Sequence, residues 1–539
     1  MEILDKALSK IGIINKISEA IKSDLTFCVV GAFVGEKILS LYQLSKNNKV
    51  VFVARDQIEL LEIKDGLKSL NVKFEEIITD LTPPTFSIIK DNNWQTNTVS
   101  SLYNFKYENT NILLVSKQTL IYKFHQKLNK NNYLKLIKNQ KINIQEIINN
   151  LIANGYKKCQ KIEKIGDFSI KGDILDIYLN NYENPIKIDI FDDEIDKIYS
   201  FDISEMQKID DLNEIIIFPN KLYNFTKEQE SDCIEKLKKA VLNCNATGDA
   251  LLKIHNLVNQ IYNGINDDII ANDIDFVLPF YEEELSLFNL LPDAKFILSE
   301  PKKIYDDLND EYKSLESSIF DFAVNGELLS EHSNFYFSPT DVLKFKPNII
   351  FSNNNQNLFK VDISDYVRTI GLCNYVFDYK TLVKDLSIYE QSRYKVIMFA
   401  GSNQSKKTIG EFLTKNNLFY TDDINLNSGK FQLILREENF PKSCSFLDAG
   451  IIIIGTDDLV KRSISQVKNI TSTAKKKRVF YLPKVGDYVV HSTHGIGKCV
   501  ALSKLNLNGT EKDYFIIEYA NGDKLYLPSE QADLISAYL

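Results

Sequence analysis

The chain has 539 residues, of which 44% are hydrophobic and 25% are charged; this composition excludes a largely disordered protein and predicts about three to five domains. The net charge of −9 repels a phosphate backbone, so nucleic acid could bind only through a local basic patch. The seven cysteines form no CxxC pair, and no apolar run approaches the roughly 20 residues of a membrane span, so we predict no metal site, disulfide framework or membrane partner. The amino terminus has no signal-peptide pattern, and we expect a cytoplasmic protein.

The first strands and helices predict an α/β fold. Residues 26–120 alternate short apolar strands with amphipathic helices, beginning with FCVV, KILSLYQL and VVFVA. Continuous apolar strands of this kind are typical of a parallel sheet that is covered on both faces. We therefore predict a parallel-sheet domain at residues 1–118.

The hydrophobic period then changes. Between Lys161 and Asp202, apolar and polar residues alternate around glycine and proline turns, and this period of two predicts an antiparallel meander. We assign the meander to a separate β-rich module at residues 119–212. Mixed helices and strands return at residues 213–345.

The last third of the chain predicts two further units. Residues 346–466 are expected to form a small α/β domain with the buried strands YKVIMFAG and AGIIIIG, and the polar, basic residues 467–484 are typical of a linker. Residues 485–539 are dense in short strands, with Asn521-Gly522 as a hairpin turn, and predict a small β-barrel.

Residues 31–38 are close to a phosphate-binding loop but depart from it. A working loop has the pattern GxxxxGK[ST], in which backbone N–H groups and the lysine hold phosphates and the hydroxyl holds magnesium. Here Gly31 and Gly35 are one residue too close together, and Ile38 replaces the hydroxyl. Glu36 adds a carboxylate beside Lys37, where phosphates would lie. We predict that Gly31, Gly35 and Lys37 bind no nucleotide and that the glycines serve a strand-to-helix turn.

Other nucleotide-site patterns are also incomplete. Residues 401–408 lack one glycine of the phosphate-loop pattern because Lys406 occupies its position, which leaves an ATP site only as a minor alternative. Residues 193–196 spell a helicase-type DExD box, but the strand before them alternates in polarity, so we interpret the box as a turn. Asp457 and Asp458 follow a buried strand and are interpreted as solvated acids at its end.

The carboxy-terminal residues resemble a known family. Residues 485–538 carry GDYVVH, HGIG, DY, YA, DKLY and P in the same order as the RNA-polymerase-interacting domain of bacterial transcription-repair coupling factors, which is similar to the CarD family of transcription regulators. The resemblance implies binding to the β subunit of RNA polymerase. A strand edge suits this role, because its unpaired N–H and C=O groups can pair with a partner strand. We expect VALSKLNL to be that edge, with Lys504, Leu505 and Leu507 as contacts; alternatively, Leu505 faces the barrel core.

The predicted meander is similar to the UvrA-binding module that coupling factors share with the excision-repair protein UvrB. The similarity lies in GYKKCQKIEKIGDFSIKGDILDIY and NPIKIDIFDDEIDKIYSFD. It implies UvrA binding by Lys157, Lys171 and Glu194; the alternative is an ordinary solvated surface. Lysine keeps the positive charge of the family's arginines without their bidentate fork. Ser169 stands where UvrB carries a second arginine.

The resemblance also implies a function. In this family a degenerate RecA-like, UvrB-like half without nucleotide motifs precedes the polymerase-binding barrel, and the ATPase motor follows it. The chain would therefore be an adaptor in transcription-coupled nucleotide excision repair and not an enzyme, and ATP, magnesium and most contacts with double-stranded DNA would belong to a motor outside this sequence. Two alternatives stay open: a UvrB-like ATP-dependent DNA helicase and a CarD-type transcription regulator with a large amino-terminal extension.

Overall fold

The chain divides into two compact units, Met1–Lys461 and Arg462–Leu539. A computed structural model describes residues 2–85, 93–223, 226–244, 246–264, 274–353, 358–425, 428–461, 485–491, 495–507, 510–519, 524–528 and 535–537.

A parallel sheet is the centre of the first unit. Its seven described strands are β1 (Phe27–Val30), β2 (Val50–Val53), β3 (Glu75–Ile77), β4 (Ile112–Val115), β13 (Lys295–Ser299), β14 (Ile349–Ser352) and β15 (Ile363–Tyr366), in the order β15-β1-β14-β13-β2-β4-β3. Each neighbouring pair runs parallel. Buried apolar residues cover both faces, so the predicted parallel sheet is confirmed.

The middle of this sheet comes from distant parts of the chain. The strands β13 and β14 lie between β1 and β2, and β15 pairs with the other side of β1. Residues on both sides of the predicted boundary at 345/346 therefore belong to one sheet.

Helices pack on this sheet and around it. The helices of the first unit are α1 (Glu2–Leu8), α2 (Gly12–Lys22), α3 (Val34–Ser45), α4 (Gln57–Ser69), α5 (Asn93–Tyr107), α6 (Ile144–Ala153), α7 (Lys227–Asn243), α8 (Gly248–Gly264), α9 (Ile274–Val277), α10 (Leu287–Leu290), α11 (Pro301–Val324), α12 (Pro339–Val342), α13 (Tyr379–Gln391), α14 (Asn403–Lys415) and α15 (Thr456–Leu459). Capping residues set where several of them begin: Thr226 and Gln229 form a capping box at the start of α7.

A second, smaller sheet lies in the same unit. Its four described strands are β16 (Lys395–Phe399), β17 (Gln432–Arg436), β18 (Cys444–Phe446) and β19 (Ile451–Ile454), in the order β17-β16-β19-β18. The strands β16, β17 and β19 are parallel and β18 is antiparallel. The buried strands predicted for this region are present at β16 and β19.

Helix α3 lies between the two sheets. Ten of its twelve residues are buried, and its apolar side chains join strand residues of both sheets in one hydrophobic core. The approach is closest at Gly35, where a Cβ atom would lie 2.6 Å from the carbonyl oxygen of Ser443 and 2.8 Å from the Cβ of Cys444. The small α/β region therefore shares its core with the larger sheet.

The antiparallel module is inserted in the chain between β4 and β13 of the parallel sheet. It begins with β5 (Leu134–Ile137), which pairs with β12 (Glu214–Ile217) beyond the predicted boundary at residue 212. Between them lie α6 and a sheet of β6 (Lys157–Lys158), β7 (Asp167–Lys171), β8 (Ile174–Ile177), β9 (Ile186–Phe191), β10 (Glu194–Phe201) and β11 (Lys208–Leu212). Consecutive strands are neighbours, and each pair but the parallel β6–β7 is antiparallel, so the predicted meander is confirmed.

The second unit is a sheet of antiparallel strands. Its described strands are β20 (Tyr488–His491), β21 (Gly495–Leu507), β22 (Thr510–Glu518), β23 (Lys524–Pro528) and β24 (Ile535–Ala537), in the order β23-β22-β21-β20-β24. Val489, Cys499, Phe515, Ile517 and Leu527 form its buried core. Closure of the strands into a barrel stays a prediction, and the predicted turn at Asn521-Gly522 lies outside the described residues.

We expect Gly35→Ala to lower the free energy of unfolding by about 1–3 kcal/mol, because the added methyl group meets backbone atoms that must shift. The matched control is Gly12→Ala, since no described atom beyond its chain neighbours and the backbone of its own helix lies within 4 Å of a Cβ at Gly12. Urea unfolding followed by circular dichroism measures both variants. Equal stabilities of the two variants would contradict the close approach of residues 443 and 444 to α3.

Candidate protein-interaction sites and the degenerate phosphate loop

The loop after β1 makes a strand-to-helix turn. Gly31 has a φ of +85°, a conformation that glycine adopts at no steric cost. The turn reaches α3 within three residues, and Phe33 occupies the N-cap position without a side-chain cap. The backbone geometry thus agrees with a glycine turn.

Lys37 is committed to partners inside the protein. Its side chain is 2% exposed, and its Nζ donates to Glu59 Oε1 at 2.7 Å and to Ser299 Oγ at 2.9 Å. The same Glu59 carboxylate accepts hydrogen bonds from Ser299 Oγ and from the backbone N–H of Arg55. A buried ion pair with satisfied hydrogen bonds leaves this ammonium group unable to meet a phosphate without uncovering Glu59.

Glu36 points toward the second sheet. Its residue is 1% exposed, and Oε1 accepts a hydrogen bond of 3.0 Å from the backbone N–H of Ser445. No described residue donates to Oε2. Burial raises the pKa of Glu36 to about 7, although the hydrogen bond from Ser445 opposes this shift. Residues 443–445 therefore lie at the start of α3, where a phosphate loop would hold its phosphates.

The strand end beside this loop carries a serine. The strand end that lies next to Lys37 is that of β13, at Ser299, and neither Asp193 nor Asp457 is near it in the sheet order. The signal for β13 was a short apolar strand, FILSE, but the sequence does not reveal which strand becomes the neighbour of β2. A serine at this strand end supplies no carboxylate for magnesium.

The DExD pattern lies at a hairpin. Asp192 and Asp193 have φ values of +50° and +61° and connect β9 to β10, as in a two-residue type I′ turn. The turn interpretation is thus confirmed for Asp193, whereas residues 194–196 begin β10. The half-exposed antiparallel strand before the turn is also confirmed.

The solvated-acid interpretation of Asp457 and Asp458 is wrong, because both side chains are half-buried against the segment before β18. Ser443 Oγ donates to Asp458 Oδ2, and Lys442 Nζ lies 4.0 Å from Asp457 Oδ2. These acids help to hold the segment that covers α3. Their sequence context could not show this, because Lys442 and Ser443 belong to another loop.

The second loop with phosphate-loop character is an ordinary helix start. Gly401 has a φ of +76°, and α14 begins two residues later. The Ser402 hydroxyl caps the helix by accepting from the backbone N–H of Ser405 at 3.1 Å. Lys406 Nζ donates to Asp422 Oδ1 at 2.6 Å, so its charge has a protein partner.

Lys157, Lys171 and Glu194 lie on one face of the six-stranded sheet. Lys157 pairs with Asp167 of β7. Asp167 and Lys171 are four residues apart on that strand, so they lie on the same face. Lys171 pairs with Ile174, and strand alternation continues this face through β9 to Glu194. Both lysines are exposed and Glu194 is half-buried. Lys171 and Glu194 are three strands apart, or about 14 Å, so the residues mark a broad surface.

This polar face also presents apolar side chains that the sequence argument missed. Ile174 and Phe191 occupy the same face near the hairpin turns, with exposed fractions of 38% and 77%. In the middle of the face, Lys187 Nζ is 2.7 Å from Asp176 Oδ1, and both side chains are largely buried. The surface therefore combines an internally neutralised centre with exposed charges and an exposed aromatic ring at its margins.

The residues predicted to contact polymerase lie on β21. Lys504, Leu505 and Leu507 pair with Asp513, Lys512 and Thr510 of β22. The neighbouring strand β20 pairs only with residues 495–498 of β21, so residues 499–507 have no described strand on their other side. Leu502 pairs with Phe515, which belongs to the buried core. Leu505 is three positions further along β21.

No described helix combines the length and apolar content needed to cross a bilayer. In the same part of the chain, no group of three or more His, Cys, Asp or Glu side chains is arranged to hold a metal ion.

The buried Glu36 carboxyl should make stability depend on pH. Because its folded-state pKa of about 7 exceeds the ordinary value of 4.5, the folded state retains a proton that the unfolded chain releases between these values. Wild-type stability should therefore fall from about pH 4.5 to pH 7 by on the order of 3 kcal/mol, and Glu36→Gln should lack this decrease.

Chemical denaturation at several pH values measures this difference. Glu19→Gln is the matched control, since it removes an exposed carboxylate from α2 and should keep the wild-type pH dependence. Parallel stability curves for the wild type and Glu36→Gln between pH 5 and 8 would contradict the burial of this carboxyl group.

Two family models match separate parts of the chain. The UvrB interaction domain matches residues 134–223, which contain the antiparallel module. The CarD-like/TRCF RID domain matches residues 484–539, which contain the sheet of the second unit.

Curated relatives extend the similarity to the rest of the chain. The transcription-repair-coupling factor of Borreliella burgdorferi is 24% identical over 98% of this chain and 44% of its own length. Those of Bacillus subtilis and Staphylococcus aureus are 24% and 22% identical over 73% and 76% of this chain, and over 34% and 36% of their own lengths. The chain thus spans less than half the length of these relatives. The chain is therefore similar to part of the transcription-repair coupling factors over most of its own length, and it carries matches to both the UvrB interaction domain and the CarD-like/TRCF RID domain.

Proposed function

We propose that the chain is an adaptor in transcription-coupled nucleotide excision repair. In this proposal, residues 485–539 bind the β subunit of a stalled RNA polymerase, and the polar face of the six-stranded sheet recruits UvrA. The observation that carries the proposal is the combination of two partner-type domains with a phosphate-loop helix whose lysine and amino-terminal end are both occupied by protein groups.

The buried loop favours an adaptor over the UvrB-like helicase. Phosphate binding needs free backbone N–H groups and a free lysine at the helix start. Lys37 is instead paired with Glu59, and Ser445 lies against Glu36. A nucleotide could enter only if the second sheet separated from α3, which would expose apolar residues of a shared core. We propose that ATP, magnesium and most DNA contacts belong to parts of the family outside these residues.

The proposed UvrA surface has the composition of a protein interface. Phe191 supplies an exposed aromatic ring, and aromatic residues are enriched at protein interfaces. Lys157, Lys171 and Glu194 place charges of both signs on the same face, and such charges favour one orientation of a partner.

The proposed polymerase surface is a strand edge. Residues 499–507 of β21 have a strand on only one side among the described strands, so their outward N–H and C=O groups suit pairing with a partner strand. Contact of Leu505 with a partner, in place of the barrel core, stays a prediction. A CarD-type regulator would use the same edge, and binding to UvrA separates that alternative from the adaptor.

Charge reversal in Lys171→Glu should abolish capture of UvrA and leave polymerase binding unchanged, because Lys171 is exposed on the proposed UvrA face and belongs to the first unit. A pull-down with UvrA and the polymerase β subunit measures both interactions. Lys313→Glu, which reverses an exposed charge on α11, is the matched control and should bind both partners. Retention of UvrA by Lys171→Glu would reject the assignment.

The reciprocal change is Leu505→Arg. A charged side chain at the proposed edge should prevent the partner strand from docking, so polymerase binding should be lost while UvrA binding persists. The same pull-down measures the effect, and circular dichroism shows whether the sheet remains folded. If the folded Leu505→Arg protein still captures the β subunit at wild-type affinity, the edge lies elsewhere.

A further inference from the structure

An aromatic side chain projects into solvent from the loop before α13. Phe377 is 84% exposed and is not a member of the hydrophobic core of the small α/β region. Its φ is +69°, in the left-handed region that bulky side chains rarely adopt. The loop thus combines an exposed ring and backbone strain at one residue, a combination that is more common at functional sites than in ordinary turns.

The loop that carries Phe377 is fixed on both sides of the ring. On one side, Tyr375 is fully buried, and its backbone N–H donates to the carbonyl oxygen of Asp458 at 2.7 Å. On the other side, Asp378 caps α13 by accepting hydrogen bonds from the backbone N–H and the hydroxyl of Thr381. Because both neighbours are held, the ring is presented at a defined place.

Positive charge accumulates near this ring. Lys461 Nζ lies 5.6 Å from the centre of the Phe377 ring, which is a cation–π distance. Lys380 and Lys384 are exposed one turn apart on α13. Their charges reach the start of the helix: hydrogen bonds within the cap lower the pKa of Asp378, and the charges of Lys384 and Lys380 lower it further. One carboxylate among three ammonium groups leaves the site positive.

The three lysines are not locked in ion pairs. Within the residues that the structure describes, none of Lys380, Lys384 and Lys461 forms one, whereas Lys406 of the same region is paired with Asp422. Ammonium groups that are not paired within the chain are available to the carboxylates of a partner.

The same face of α13 carries a second exposed apolar side chain. Lys380, Lys384 and Ile388 follow one another at intervals of four residues, so they lie one above the other on the helix surface. Ile388 is 56% exposed and lies about 14 Å along the helix from its first residue. The face therefore has an apolar group at each end and positive charge between them. We call these residues, with Phe377 and Lys461, the α13 face.

We propose that the α13 face docks an acidic amphipathic helix of another protein, a contact separate from those proposed for UvrA and RNA polymerase. Apolar residues of the partner would meet Phe377 and Ile388, and carboxylates between them would meet Lys380 and Lys384. A regular helix face suits a helical partner, since the side-chain rows of two helices interdigitate. A single nucleic-acid strand could stack on Phe377, but its phosphates would gain nothing from Ile388.

Fluorescence anisotropy with the full chain tests this docking. The probe is a labelled, lactam-stapled helical peptide of about four turns, with leucines at both ends of one face and glutamates between them. A scrambled peptide of the same composition is the control ligand, and a single oligothymidine strand represents nucleic acid. The stapled peptide should bind saturably and about tenfold or more tightly than the scrambled one.

A charge-reversal pair tests the lysines. Lys384→Glu should weaken binding of the stapled peptide about tenfold or more, as expected for the loss of a direct charge contact. Lys430→Glu makes the same change at an exposed position in the loop before β17. At about 0.5 M salt, where long-range effects are screened, Lys430→Glu should bind as the wild type and Lys384→Glu should remain weak.

Replacement of the strained aromatic residue separates a docking role from a structural one. Phe377→Gly should weaken peptide binding about tenfold without lowering the melting temperature, because glycine adopts a positive φ at no steric cost. Phe419→Ala removes a ring that is 79% exposed in the loop between α14 and β17, and it should leave peptide binding unchanged.

Three results would overturn the docking proposal. The first is equal binding of the stapled and scrambled peptides, or of Lys384→Glu and Lys430→Glu. The second is a Phe377→Gly protein that melts at a lower temperature but binds the stapled peptide normally, because the ring would then serve the fold. The third is tighter binding of the oligothymidine strand that is lost in Phe377→Gly, which would favour a nucleic-acid site. None of these measurements involves UvrA or polymerase, so their outcome leaves the proposed function unaffected.

Discussion

The burial of α3 between two sheets is the constraint on which the rest of the first unit depends. A helix after a glycine turn at the end of a parallel strand normally keeps its amino-terminal end open to a ligand. Here that end is covered by Ser443 and Cys444, which approach Gly35 so closely that no Cβ fits between them. The charged residues of the turn then had to be satisfied within the protein, as Lys37 is by Glu59.

This packing explains why the candidate functional surfaces lie away from the loop that follows β1. In a doubly wound α/β protein, the carboxyl ends of the strands are the usual place for a ligand. The second sheet occupies that place over β1. The candidate recognition surfaces therefore lie where side chains or backbone groups are not buried by packing. These are the polar face of the six-stranded sheet and the unpaired side of β21. Both present backbone or side-chain groups on regular strands, which hold them in fixed positions.

The sequence predicted the local structure well because hydrophobic period is a local property. Continuous apolar strands such as Phe27–Val30 and the alternating strand Ile186–Phe191 have the burial that their patterns indicate. Contacts between distant residues had no comparable signal. Nothing in the sequence near Lys37 identifies Ser299 as its neighbour, and nothing near Asp458 identifies Ser443. The predicted domain boundary at 345/346 missed such a contact between distant residues. It separates β13 from β14, which pair in one sheet.

The distribution of charge affects where an acidic partner could dock on this acidic chain. With a net charge of −9, most of the surface repels an acidic partner, and long-range steering of such a partner depends on where positive charge is left uncompensated. The lysines at 157, 158, 161, 164 and 171 lie within 15 residues of sequence and have no ion-pair partner in the described part of the chain. Lys187 and Lys123, by contrast, are neutralised by Asp176 and Glu284. An acidic partner of the antiparallel module would therefore be attracted to one edge of its sheet, and repulsion elsewhere on the module would disfavour other docking orientations.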